Sequence, residues 1–129
     1  MVIDSSALVA ILLAEPDALE LVQKISVDSK RLLSAVSLLE TSLVLESRKG
    51  LSGGRDLDLF LHSAQINIAA MTREQADLAR EAYRRFGKGR HPARLNMGDC
   101  CSYALARHSG EPLLFKGNDF SQTDVRLVE

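Results

Sequence analysis

Short apolar runs at residues 2–3, 31–35, 66–71, 112–115 and 125–128 are separated by longer stretches with helical spacing. Strands that alternate with helices along a chain pair side by side through crossovers, and the crossover helices cover both faces of the sheet. The sequence therefore predicts an α/β fold with a mostly parallel five-stranded sheet, in a single domain over residues 1–129. A chain of 129 residues buries roughly two-thirds of its unfolded surface, enough for one core without a disulfide or structural metal.

Ser5 or Ser6 is expected to cap a first helix whose body, residues 7–14, is apolar on nearly every side. Pro16 suits the first turn of a second helix that runs to about Ser26. A third is expected over residues 37–49, stopped by Gly50, with Gly53-Gly54 as a hinge-like link to a fourth over residues 55–65. Thr72-x-x-Gln75 has capping-box form and opens a helix with the stripe Ala79, Ala82, Tyr83 and Phe86, ended by Gly87. Residues 88–95 read as a loop. Asn96 then begins a last helix through His108 that Gly110 terminates, and residues 116–120 form a turn.

The apolar run at residues 7–14 falls short of the ~18 residues that span a bilayer, and Asp4 without a basic start argues against a secretory signal. A cytoplasmic location is expected, with no membrane partner. Cys100 and Cys101 are neighbours whose side chains diverge on a helix, so they read as small core residues. With 5% aromatic residues and no Trp, base stacking has little to work with, and any nucleic acid is expected to be held by its backbone. The formal charge of -1 hides a basic segment: Arg80, Arg84, Arg85, Lys88, Arg90 and Arg94 stand against Glu81 alone. Arg85, Lys88, Arg90 and Arg94 are its candidate phosphate contacts, set against the plainer reading of a solvated helix face. His91, inside the basic loop, reads as an exposed loop histidine with RNA contact as the alternative, Lys116 is read as either a phosphate contact or a cap of its turn, and His108 is given no role.

Ligands collect at the carboxyl ends of strands in parallel sheets. Four acids are placed there: Asp4 after the first strand, Glu40 in the first turn of the helix after the second, Asp99 at the start of the last helix and Asp119 after the fourth strand. Each also has a structural reading: Asp4 precedes a helix, Ser37-x-x-Glu40 is a capping box, Asp99 suits a helix dipole and Asp119 suits a turn. No Lys or Arg adjoins Asp4, Glu40 or Asp99 in sequence. Four carboxylates in one cleft repel unless a cation intervenes, and hard oxygen ligands without His or Cys select Mg²⁺ or Mn²⁺. Such a metal lowers the pKa of bound water and takes phosphate oxygens as further ligands, which suits phosphodiester hydrolysis.

The segments Val2-Ile3-Asp4-Ser5-Ser6-Ala7-Leu8, Leu38-Leu39-Glu40, Leu95-Asn96-Met97-Gly98-Asp99-Cys100 and Pro112-Leu113-Leu114-Phe115-Lys116-Gly117-Asn118-Asp119-Phe120 resemble, in order, the motifs of PIN-domain ribonucleases. They are most similar to the VapC toxins of bacterial toxin–antitoxin pairs, the mycobacterial type above all. The resemblance implies a PIN-like three-layer α/β/α fold and an Mg²⁺ or Mn²⁺ site of Asp4, Glu40, Asp99 and Asp119, with Ser6 in support. It also implies cutting of structured RNA such as tRNA or rRNA, inhibition by a VapB-type antitoxin, and a homodimer. Asn96 is placed to orient Asp99. Asn118 is acidic in several members, so a second metal is less well provided for. The alternatives are a catalytically idle PIN-like binding module and, ranked low, a receiver-type phosphorylation domain, for which residues 66–71 lack the phospho-accepting Asp.

Overall fold

The computed structural model describes residues 1–129. Strands β1 (Val2–Ile3), β2 (Leu32–Ser34), β3 (Asn67–Ala69) and β4 (Leu113–Leu114) form one sheet in the order β3-β2-β1-β4, every pairing parallel. Val2 lies between Leu32 and Leu113 in register. The connections are helical: α1 (Ser5–Leu12), α2 (Ala18–Ser26), α3 (Ala35–Lys49), α4 (Leu51–Ser63), α5 (Arg73–Phe86) and α6 (Met97–Ser109), followed by a 3₁₀ turn at Asp119–Gln122.

The period-two alternation of strands splits the core into two layers. Met1, Ile3, Leu33 and Leu114 pack on one face with Leu8, Leu21, Leu45 and Leu57 of α1 to α4. Val2 and Leu113 point the other way, against Phe86, Leu95, Tyr103 and Phe120 beside α5 and α6. This is the expected three-layer arrangement, with one difference. The fifth strand is reduced to a single bridge, Leu127 to Leu113, closed by Leu113 N–H to Arg126 O (2.8 Å) and Val128 N–H to Leu113 O (3.0 Å). Only Leu127 of that segment enters the ladder.

Other boundaries moved for local reasons. Ser34, not Ser37, caps α3, its hydroxyl accepting from Val36 N–H, so Ser37-x-x-Glu40 lies inside the helix and is not a capping box. Asp4, not Ser5 or Ser6, caps α1. Thr72 accepts from Gln75 N–H as expected, but the Gln75 amide turns to Ala70 O. Gly53 and Gly54 are not a link: α4 begins at Leu51 and runs through both. A Cβ on Gly53 would lie 2.5 Å from the Leu45 carbonyl oxygen, so the absent side chain is what lets α4 cross α3 this closely. At Gly54 it would meet only the flexible Glu46 carboxylate. Gly53→Ala should therefore cost about 1–3 kcal/mol in urea unfolding by overpacking. Gly54→Ala should be neutral or gain up to ~1 kcal/mol from helix propensity.

In the order β3-β2-β1-β4 the chain leaves β1 toward β2 and β3 and returns to its other side with β4. The crevice beyond the ends of β1 and β4 is therefore the topological switch point, where ligands bind in open parallel sheets.

Candidate active site

Three of the four candidate acids come together at this switch point, and the fourth adjoins the same helix start. β1 ends at Asp4 because its carboxylate caps α1, Oδ2 accepting from Ser6 N–H at 3.0 Å. Its Oδ1 accepts from the Ser102 hydroxyl at 2.5 Å, and Ser102 Oγ lies 3.2 Å from Ser37 Oγ. Asp4 is 2% exposed, and burial, with Asp119 nearby, holds its carboxyl above the usual carboxylate range despite these bonds. Ser102 and Ser37 are themselves fully buried, so α6 and α3 clamp Asp4 from behind.

Asp99 is fixed by a reciprocal capping box. The Asn96 side chain accepts from Asp99 N–H at 2.8 Å, and Asp99 Oδ2 accepts from Asn96 N–H at 3.1 Å. Asn96 thus orients Asp99 through its main chain as well as its amide. Burial lifts the Asp99 carboxyl to about 7, and the charges of Asp4 and Asp119 add to the rise. Asp119, exposed in the 3₁₀ turn after β4, lies within hydrogen-bonding reach of Asp99.

Glu40 stands on α3 over the start of α6. Its Oε1 accepts from the Ser5 hydroxyl at 2.6 Å, and both carboxylate oxygens lie 2.5 Å from where a Gly98 Cβ would be. Gly98 is thus the notch that admits Glu40 beside Asp99. Because the displaced group is the end of a flexible side chain, Gly98→Ala should keep the fold and push Glu40 aside. The expected readings are an unchanged melting temperature and an RNA cleavage rate lowered at least ~10-fold, the size of effect seen when groups that orient metal ligands are lost.

None of the four acids forms an ion pair with any Lys, Arg or His. No three His, Cys, Asp or Glu side chains stand at the spacing of a common ion. Three of the four lean on donors of the protein, Glu40 on Ser5, Asp99 on Asn96 and Asp4 on Ser6 and Ser102, while Asp119 has none. An all-oxygen set, half buried and unneutralised by the chain, suits a hard divalent cation. Ser6 holds the opposite wall, its Oγ accepting from Lys116 N–H at 2.9 Å. The Lys116 ammonium pairs with Glu15 (3.0 Å) and Asp17 (3.3 Å).

The basic segment divides. Arg85 pairs with Asp124 at 3.1 Å in a network with Arg107 and Tyr103, and lies over the Phe86 ring, so it joins α5 to α6 and the C-terminal segment. Of the four expected phosphate contacts it is the one engaged in ion pairs of the fold. Lys88, Arg90 and Arg94 form no ion pair, and neither does Arg84, which was not singled out from the sequence. Lys88 and Arg94 line a cleft of about 320 Å³ with Asn96 and Asp119. The loop that presents them is closed by Lys88 N–H to Leu95 O and Leu95 N–H to Phe86 O, both 2.9 Å. His91 packs edge-on to Phe86, a structural role. Ser5, Ser37, Ser102 and Gly98 also went unrecognised as site residues. Ser5, next to Asp4, and Gly98, next to Asp99, stand inside the motif segments and so carried a sequence signal; Ser37 and Ser102 carried none.

A PIN domain family model matches residues 1–126. The chain is 57% identical over 128 residues to Ribonuclease VapC30 of Mycobacterium tuberculosis, covering 99% of this chain and 98% of that one. It is 59% identical over 128 residues to Ribonuclease VapC of Mycolicibacterium smegmatis, covering 99% of each. Among solved structures, VapC20 of Mycobacterium tuberculosis, a sarcin-ricin loop cleaving toxin, superposes with a TM-score of 0.78 at 19% identity, covering 96% of this chain and 95% of that one. VapBC2 from Rickettsia felis, bound to a fragment of promoter DNA, gives 0.76 at 14% identity, covering 99% and 96%. With a PIN domain model matching residues 1–126 and relatives of this identity over almost its full length, the chain belongs to the PIN-domain family and, within it, to the VapC ribonucleases.

Proposed function

We propose that this chain is the endoribonuclease toxin of a type II toxin–antitoxin pair, cutting structured RNA of the tRNA or rRNA class. The observation that carries the reading is the gathering of Asp4, Asp99 and Asp119 at the switch point, with Glu40 across Gly98 and no protein cation among them. Asp4, Glu40, Asp99 and Asp119 would hold Mg²⁺ or Mn²⁺, which when bound supplies a water of lowered pKa and a charge to stabilise the phosphorane-like transition state. The chain's part is to fix those oxygens: Ser102 and Ser6 N–H hold Asp4, Asn96 holds Asp99 and Ser5 holds Glu40. Lys88 and Arg94 draw the RNA backbone to the cleft beside Asp119. No side chain near the four acids is a nucleophile with a depressed pKa. Burial pushes the Cys100 thiol up to about 12 and raises that of Cys101, so attack by water fits better than a covalent intermediate.

We include a VapB-type antitoxin in the proposal, one that sends an Arg or Lys into the acid cleft, where a guanidinium bridges carboxylates without the octahedral shell Mg²⁺ demands. Exposed Leu39, Leu43 and Met97 flank Glu40 and Gly98 around a groove of about 340 Å³ that suits an apolar partner segment. The homodimer expected from the resemblance belongs to the same proposal. No helix is long and apolar enough to cross a membrane, and we place the protein in the cytoplasm. A receiver domain finds no support: β3 is an edge strand without an acid.

The test is to incubate the purified chain with RNA in EDTA, then restore Mg²⁺ or Mn²⁺. Cleavage should be absent in EDTA and return with either ion. Binding of RNA without cleavage under all ions would favour the idle binding module.

A further inference from the structure

The cleft beside Asp119 holds more than phosphate-binding charge. Its walls carry Lys88, Arg94, Asn96, Asn118, Asp119 and Gln122, so three carboxamides and two unpaired cations surround a single site acid. Asn96 spends its oxygen on Asp99 N–H, whereas the carboxamides of Asn118 and Gln122 make no hydrogen bond within the protein. Free carboxamides present a donor and an acceptor side by side, the pattern that pairs with a nucleobase edge and that phosphate does not need. The volume of about 320 Å³ falls within the ~300–1,000 Å³ of small-ligand sites. No aromatic side chain lines it, so recognition there rests on hydrogen bonds and not on stacking. The loop that carries the cations is internally tied, with Arg94 N–H on His91 O at 3.0 Å and Arg94 itself at φ 56°, a left-handed conformation that a non-glycine residue holds at a cost. Arg94 lines the cleft together with Asn96, with Asn118, which caps the 3₁₀ turn, and with Gln122, which ends it.

We propose that this cleft is a base-reading nucleotide subsite next to the scissile phosphate, in which Lys88 and Arg94 hold the neighbouring phosphate and Asn118 and Gln122 read the base. The inference rests on the ribonuclease reading above and adds that this chain selects its cutting position by sequence at one flanking nucleotide. Asp119 is common to the cleft and to the acid cluster, so a nucleotide seated here is adjacent to the bond that is cut.

The experiment uses RNA stem-loops that are cut in the loop and carry each of the four bases at the two positions flanking the cut. The wild-type chain is compared with the double variant Asn118→Ala/Gln122→Ala; both side chains are exposed and bonded to nothing, so the fold is retained. Wild type should favour one base at one flanking position by roughly 10-fold, within the range of one bidentate amide contact, and the double variant should level the four to within about 2-fold. In parallel, the same RNAs are bound in EDTA to the chain carrying Asp99→Asn. There the double variant should lose the base preference and keep the slope of affinity against salt, while Lys88→Gln/Arg94→Gln should flatten that slope and keep the preference. An unchanged base preference in the double variant, or none in wild type at either position, overturns the subsite. Failure of the ribonuclease reading looks different, as no cleavage by wild type with any ion, and the EDTA binding series then still decides whether the cleft reads a base.

Discussion

Asp99→Asn should abolish RNA cleavage, by at least ~100-fold, and at the same time make the metal-free protein more stable above neutral pH. The two effects share one cause. Asp99 is buried beside Asp4 and Asp119, and its carboxyl is raised to about 7 from an ordinary value of 3.8. A folded-state pKa above the unfolded one means that the native state binds the proton more tightly. The stability this gives is fully present below about pH 4, falls as pH rises toward 7 and is gone above it. An amide cannot ionise, so the variant escapes that loss. Unfolding in EDTA should show the two proteins alike near pH 4 and the variant ahead at pH 8, by on the order of 2 kcal/mol. Saturating Mn²⁺ should reverse the order, because an ion that binds only the folded wild type stabilises it by mass action. A variant that cleaves at the wild-type rate, or a wild type indifferent to Mn²⁺ at pH 8, would remove Asp99 from the site.

Replacing Arg84, Lys88, Arg90 and Arg94 together by Gln should weaken RNA binding by two to three orders of magnitude at low salt. Each single-strand phosphate contact contributes a slope of about 0.7 in log affinity against log salt, so four lost contacts should lower the slope by nearly 3. These four cations are the members of the basic segment outside its ion pairs. The contrast is Arg85→Gln, which should cost stability through Asp124 and Tyr103 while leaving the salt slope near wild type. Unfolding and filter binding at three salt concentrations separate the two behaviours. Equal slopes for the fourfold variant and Arg85→Gln would make the segment an ordinary solvated face.

The layers of the fold were legible because strand alternation is local: Val2 and Ile3 declare opposite faces within two residues. What was not legible depended on contacts across the chain. Gly53-Gly54 looks like a break to any local rule, yet the close crossing with Leu45 makes it helix interior. Residues 125–128 read as a full strand, but only Leu127 bridges Leu113. In the site, the acids were visible from their positions after strands, and the side chains that aim them were not. Ser102 is 98 residues from the Asp4 it holds, and Ser5 is 35 from Glu40. Arg85 differs from Arg84 in sequence only by Glu81 four residues before it, and its closer partner, Asp124, lies far along the chain.

The end groups of the cleaved RNA test the central claim most directly. If Asp4, Glu40, Asp99 and Asp119 hold a divalent ion that delivers water to the phosphorus, products made in Mg²⁺ or Mn²⁺ carry a 5′-phosphate and a 3′-hydroxyl. Ligation of an adaptor that requires those ends should capture the wild-type products and find none with Asp99→Asn. Products ending in a 2′,3′-cyclic phosphate, formed at the same rate in EDTA, would mean that the RNA's own 2′-hydroxyl is the nucleophile, and would contradict a metal-holding role for the four acids.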